Sequence, residues 1–386
     1  MNSSITGCLA VAAMIFTATL SSAYELLRHG LVTTQAYNLS RLTQSPSRTN
    51  PKSLRAWMIA FLLLLPLTVA SGADPDWVLF KQRFMQPEGR IVDSGRESIS
   101  HSEGQGKVML LAVYHDDRVA FDSAWQWARQ NLQVRDDKLL AWKWSPKDKV
   151  KDKNNASDGD LFVVWALLRA KQKWQDPSYL AAALEIIHDL RQKLLRKSSR
   201  GIVLLPGIQG FDKPDGLVIN PSYWLFPALQ EIARADPAPE WLELQQTGIN
   251  LLLEGHFGRW GLPADWILLQ DKLAPAPGFP TRFSYDAVRI PLYLLWAKRE
   301  TAELLLPFQR YWGHFKGAKF MPAWTNLNDD SIDSYDASPG IRGIAQLTLA
   351  HPNLRTVRLS VLDATQDYYS SVLLLMTKMM MKERKG

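Results

Sequence analysis

Apolar residues recur at spacings of three and four through most of the chain beyond residue 74. They do so in "KVMLLAVYH", "RVAFDSAWQWARQNL", "LFVVWALLRAKQKW", "YLAAALEIIHDLRQKLL" and "SYWLFPALQEIARA". That spacing lines up one face of a 3.6-residue helix. The pattern returns in "PEWLELQQTGINLLLEG", "YDAVRIPLYLLWAKR", "TAELLLPFQRYWGHF", "GIRGIAQLTLAH" and "DYYSSVLLLMTKMMMK". About ten to twelve helices joined by short loops predict an all-α domain, and successive antiparallel neighbours favour a toroid or solenoid of helical hairpins. The strand-like pieces "GIVLLPG" and "DWILLQ" fall in connections and are expected to form local hairpins at most. On such a scaffold functional side chains gather at loops and helix starts on one face.

The first 73 residues read differently. Lys52 and Arg55 give a positive flank, Ala56 to Ala70 is an apolar run, and Ser71-Gly72-Ala73 offers the small residues that a signal peptidase reads. The run falls short of the roughly 20 residues a spanning helix needs, and Pro66 interrupts it. Residues 1–73 are therefore expected to be a leader with a signal peptide whose apolar core is 56–70, cut after Ala73. Its first fifty or so residues would come from an over-extended start site. The product is expected in the periplasm or secreted. Residues 74–386 follow as one domain, with no linker rich in Pro, Gly or Ser to divide them.

Charge and cysteine usage narrow the chemistry. The formal net charge is +7, of which the leader carries +4, leaving +3 on the domain. No Lys/Arg block with interleaved aromatics is present in the domain, so nucleic acid is not an expected partner. Cys8, in the leader, is the only cysteine, which excludes thiol nucleophiles and cysteine zinc sites from the domain. The seven histidines form no HExxH, and "NDDSIDSYD" at 328–336 lacks the turn glycine of a calcium loop and reads as a solvated loop. Neither GxSxG nor a phosphate-cradling glycine loop occurs. No metal and no cofactor is expected.

Carboxylates at helix starts remain. Glu103 in "ISHSEGQGKVM" precedes the apolar run from Val108, Asp158 and Asp160 open "LFVVWALL", and Asp286 opens "AVRIPLYLLW". Taken singly, each is explained by capping and the helix dipole. In Ser157-Asp158-Gly159-Asp160 the cap is expected to be Asp160 or Ser157, which leaves Asp158 over. Fourteen tryptophans follow the leader, two of them, Trp142 and Trp144, in the loop "LLAWKWSPKD". Flat amphipathic rings on a loop suit the faces of sugars.

Several motifs together carry a resemblance. "EGRIVDSGRESISHSEGQGKVM", "ASDGDLFVVWALLRAKQKW", "LLPGIQGF", "INPSYWLFPAL", "SYDAVRIP" and "DYYSSVLLLM" follow one another as in glycoside hydrolase family 8, and the chain resembles that family over residues 77–376. Family members usually carry Ser-Tyr-Gly or Gly-Tyr-Gly where this chain has Gly106-Lys107-Val108. The resemblance implies an (α/α)6 barrel with an open groove. It also implies an inverting endo-acting hydrolase of β-1,4-glucan (cellulose), linked to bacterial cellulose biosynthesis and working as a monomer beside a cellulose synthase complex. Chitosan hydrolysis, or glucan binding without turnover, is the alternative.

The resemblance also assigns roles. Glu103 matches the general acid, Asp286 the general base that activates water, and Asp158 a third acid lining the central subsite. Tyr223 and Tyr285 match tyrosines near the attacking water, and Trp142 a stacking platform. Two acids in different environments are what glycosidic cleavage needs. Arg289, three residues after Asp286, is expected to keep that carboxyl ionised, and burial beside other carboxylates is expected to raise Glu103.

Overall fold

The computed structural model describes residues 74–385; the leader expected over residues 1–73, with its apolar segment 56–70 and Cys8, lies outside the described residues. Eleven α-helices run through the described part: α1 (Pro75–Phe84), α2 (Ser102–Tyr114), α3 (Arg118–Asn131), α4 (Ser157–Trp174), α5 (Pro177–Leu194), α6 (Phe226–Ala235), α7 (Pro239–Glu254), α8 (Ile290–Trp296), α9 (Ala302–His314), α10 (Pro339–Ala350) and α11 (Tyr368–Lys385). Helices α2, α4, α6, α8, α10 and α11 each pack on the next, and α11 returns to α2, which closes a ring. Outside it, α3, α5, α7, α9 and α1 lie against α2, α4, α6, α10 and α11. This is the (α/α)6 barrel that the sequence led us to expect.

The composition of each layer explains its place. Val108 to Val113 in α2 and Leu161 to Leu168 in α4 are buried on every side, as a helix apolar all round must be. The outer α3 buries only a stripe, including Phe121, Trp125 and Trp127, and turns its charged residues to water. Helix starts follow capping chemistry: Asp117, Asp176, Thr301 and Ser338 accept from the first-turn amides of α3, α5, α9 and α10, and α1, α5, α7 and α10 carry Pro in their first turn.

Two glycines bring α2 and α4 into backbone contact. A Cβ on Gly159 would lie 2.7 Å from the Glu103 amide nitrogen, and one on Gly106 would lie 2.7 Å from the Val163 amide nitrogen. Any side chain there would prise apart the two helix starts that carry Glu103 and Asp158.

The strands position the loops over those starts. β1 (Ser100–His101) pairs with β2 (Lys143–Trp144), which pins the tryptophan loop beside the entry to α2. β3 (Leu195–Ser198) and β4 (Gly201–Leu204) form the local hairpin expected of "GIVLLPG". "DWILLQ" departs from the expectation. Its strand β7 (Ile267–Leu269) lies in a four-stranded antiparallel sheet, ordered β5 (Asp212–Lys213), β6 (Gly216–Ile219), β7 and β8 (Ala274–Pro275). β6 and β7 come from loops far apart in the chain and bury Val218 and Leu268 together with Ala276. A last pair, β9 (Arg282–Phe283) and β10 (Thr325–Asn326), leads into Asp286.

Candidate active site

The helix-start acids meet at one end of the barrel, and none of them is used as a cap. At α2 the cap is His101, whose Nδ1 accepts from Gly104 N at 2.9 Å, while the Ser102 hydroxyl is buried without a partner. At α4 neither Asp160 nor Ser157 caps, contrary to the expectation. Asp160 turns to the preceding loop and accepts from Leu140 N and Asn155 Nδ2, each at 2.8 Å, and the Ser157 hydroxyl has no partner. Asp286 precedes a single 3-10 turn, Ala287–Arg289, ahead of α8, and makes no capping bond. Asp158 accepts from the neighbouring Gly159 N at 2.8 Å through one oxygen, and Glu103 and Asp286 are left over from helix formation.

Arg289 ties these acids together. Its guanidinium is 2% exposed, and one nitrogen, Nη1, donates to Glu103 Oε1 while lying 4.0 Å from Asp158 Oδ2. The other, Nη2, donates to Asp286 Oδ1 at 2.6 Å and to Ser222 Oγ at 2.9 Å. Ser222 is held in turn by Asn220, whose side-chain oxygen accepts from the Ser222 hydroxyl at 2.7 Å. On the other flank, Lys107 Nζ donates to Glu103 Oε1 at 2.5 Å. Three carboxylates therefore face two buried cations.

Their protonation follows from that balance. Burial alone would push the Glu103 carboxyl up, but Lys107, Arg289 and His101, with the hydrogen bond from Lys107, outweigh it and hold the group well below the usual carboxylate range. This reverses the rise that the sequence suggested, because the nearest groups are cations. Asp158 is pushed well above its ordinary value, by burial first and by the charge of Glu103 next. Asp286 is raised by burial; Arg289 pulls it down, as expected of that neighbour, without overcoming the burial. The three acids share one site yet differ in proton affinity, with Glu103 the lowest and Asp158 and Asp286 above their ordinary values.

A cleft of about 410 Å³ opens over them, lined by Glu103, Asp158, Asp286, Tyr223, Trp142, Trp266, Phe211, Arg96 and His101 among others. Trp142 forms one wall, its indole Nε1 donating to Asp152 at 2.8 Å. Trp144 does not reach the cleft: it is buried edge-on against Trp127. The opposite wall is an aromatic stack in which Trp266 lies 5.6 Å from Phe211 and 4.4 Å from Phe279, centroid to centroid, with Tyr223 edge-on to it. Phe211 and Trp266 sit just before β5 and β7, so the sheet carries this wall.

Some residues fall elsewhere than the sequence led us to expect. Tyr285 is exposed, its hydroxyl bonded to that of Tyr335 and its carbonyl accepting from the Tyr369 hydroxyl, and it is not among the residues lining the cleft. Lys107 lies beneath Glu103 and outside the cleft lining, so the Gly106-Lys107-Val108 segment changes the support of the acid and not the cleft wall. The loop 328–336 is tied to the fold: Asp333 is buried and accepts from Ala323 N, and Asp336 accepts from Met321 N. His101, Asn220, Ser222, Phe211 and Trp266 were not singled out by the sequence, and Lys107 stood out only as a departure beside Glu103; "INPSY" and "SEGQGK" held the cue, since they flank Tyr223 and Glu103.

Comparison with known proteins bears on this site. The profile described as "Glycosyl hydrolases family 8" matches residues 52–383. A protein of Novacetimonas hansenii named "Probable endoglucanase" is 40% identical over 306 residues, covering 78% of this chain and 88% of the relative. An "Endoglucanase" of Cellulomonas uda is 38% identical, covering 75% and 81%. Among solved structures, a family 8 endoglucanase of Klebsiella pneumoniae superposes with a TM-score of 0.76 at 38% identity, covering 81% of this chain and 100% of its own. The endo-beta-1,4-glucanase CMCax of Acetobacter xylinum does so with the same score and identity, covering 81% and 98%.

Proposed function

The chain belongs to glycosyl hydrolase family 8, and from that premise we propose that it is an inverting endo-β-1,4-glucanase in which Glu103 is the general acid and Asp286 the general base. The observation that carries the assignment is the shared guanidinium: Arg289 touches both carboxylates on the floor of one aromatic-walled cleft. Two unrelated caps would have no reason to meet.

The chemistry follows from the arrangement. Glu103 first takes up a proton, against the pull of Lys107 and Arg289, and delivers it to the glycosidic oxygen as the bond to the anomeric carbon breaks, while Asp286 takes a proton from the water that attacks the opposite face. Asp158, which holds its proton most firmly, donates a hydrogen bond to the distorted central sugar. Trp142 on one side and Trp266 with Tyr223 on the other give the pyranose faces something flat to stack on. The cleft runs open at the surface, which suits cutting within a chain.

Apolar segment 56–70 and its flanks support export to the periplasm or beyond. There the substrate is β-1,4-glucan emerging from a cellulose synthase complex, cut by a monomer. N-terminal sequencing of the exported protein tests this: a start at Asp74 is expected, and an uncut chain inside the cell overturns it. For the activity, the purified protein is incubated with carboxymethylcellulose, lichenan, xylan and chitosan while viscosity and reducing ends are followed. A fall in viscosity ahead of reducing-end release on carboxymethylcellulose is expected. Preference for chitosan would move the chain to another substrate, and release from none would leave a glucan-binding barrel.

A further inference from the structure

Lys107 is the buried cation that this mechanism leaves unused. It sits one helical turn after Glu103, is 1% exposed, and donates to Glu103 Oε1 at 2.5 Å. The ring of Phe162 lies 5.3 Å from its Nζ. A buried ammonium persists only against close counter-charge. Since Lys107 does not line the cleft, it reaches a substrate only through Glu103.

We propose that Lys107 is a positioning residue for the reaction: it fixes Oε1 of the Glu103 carboxyl and turns Oε2 to the substrate as the proton-bearing oxygen. The proposal rests on the assignment of Glu103 as the general acid. Oε1 is already engaged by both Lys107 and Arg289, whereas Oε2 has only His101, with Nδ1 at 3.8 Å. Lys107 and Arg289 together therefore decide which oxygen works, and Lys107 does so without touching the cleft.

The surroundings make its charge count. Around Lys107 the charged groups are Glu103 on its own helix, Asp158 on α4 and Arg289 before α8. Burial lowers the Lys107 ammonium from its ordinary value while Glu103 supports it, and Asp286 also feels its charge. The tyrosines that face Glu103 are Tyr223, Tyr293, Tyr368 and Tyr369, all pushed up by burial and so uncharged at working pH. Arg289 is the other cation beside Glu103. Substituting Lys107 by a neutral residue removes one of the two buried cations and leaves every carboxylate in place.

The test is the pH dependence of kcat/KM, which reports groups of the free enzyme. In Lys107→Met the acidic limb, set by Glu103 because its proton affinity lies below that of Asp286, is expected to move up by about 1–3 pH units, the effect of a close opposite charge. The alkaline limb, set by Asp286, moves less. Lys107→Gln serves the same purpose if the Met variant does not fold, and a carboxyl-carbon NMR titration of the unsubstituted protein needs no variant. An acidic limb that stays in place in a folded variant, or a Glu103 midpoint at or above the ordinary carboxylate value, overturns the proposal. Glu103→Gln is measured alongside: if it keeps full activity, the assignment of Glu103 has failed instead.

Discussion

Arg289 holds Glu103 with one nitrogen of its guanidinium and Asp286 with the other, so the proposed acid and base are positioned by a single buried side chain. Replacing it with Met leaves three buried carboxylates facing Lys107 alone. Loss of one member of a buried ion cluster costs about 3–5 kcal/mol. Urea unfolding of Arg289→Met is expected to show a loss of that order, with turnover falling further than stability explains; a stable and active variant would contradict the arrangement.

Glu103→Gln and Asp286→Asn each keep the shape of the site and remove its proton chemistry. Turnover of carboxymethylcellulose is expected to drop by about 10²–10⁴-fold in each. Cello-oligosaccharide binding by calorimetry should stay within a few-fold. Activity near that of the parent in either variant removes that residue from the mechanism.

Trp142 and Trp144, two residues apart, are expected to behave as opposites. Trp142→Ala takes away a cleft wall and should weaken oligosaccharide binding with little change in the melting temperature. Trp144→Ala empties a site packed on Trp127 and should cost about 3–5 kcal/mol, as other buried Trp truncations do. Equal stability losses in both would place Trp142 in the core.

A water attacking under Asp286 inverts the anomeric carbon. Proton NMR of the first product from a β-linked cello-oligosaccharide is expected to show the α-anomer. The β-anomer appearing first would make Asp286 a nucleophile, which requires a covalent glycosyl intermediate.

Asp160 gives a pH signature independent of catalysis. Burial pushes its carboxyl from 3.8 up to about 7, against the hydrogen bonds from Leu140 N and Asn155 Nδ2. The folded chain therefore binds this proton more tightly than the unfolded chain, and the stability it contributes is complete below pH 3.8 and lost as pH rises towards 7. The slope is up to about 1.4 kcal/mol per pH unit. The difference in unfolding free energy between the parent and Asp160→Asn should fall across that window and level off above it; a flat difference would show that Asp160 does not titrate there.

The helices and the acids could be read from the sequence because both leave local marks. A 3.6-residue apolar repeat is visible within two or three turns, and Glu103, Asp158 and Asp286 stood before such repeats, where capping explained each one singly and the resemblance of the surrounding motifs set them apart. What escaped was decided at a distance. The pairing of β6 with β7 joins segments about fifty residues apart, and nothing in "DWILLQ" announces its partner. His101 as the cap of α2, the turning of Asp160 to the Leu140 loop, and the Tyr285–Tyr335 contact depend on which groups arrive from elsewhere. Lys107 in a row of apolar residues was conspicuous, yet its burial beneath Glu103 follows only from Gly106 and Gly159 letting α4 close over it.

The four-stranded sheet gives the cleft a division of labour. The reacting groups hang from inner helices locked by backbone contact, whereas the Phe211–Trp266 wall rides on strands outside the ring. Substitutions along β5 to β8 can therefore retune which glycans are gripped, and how long a chain is held, while the proton-transfer machinery keeps its spacing. Diversification of appetite without retooling of the blade is what this layout permits.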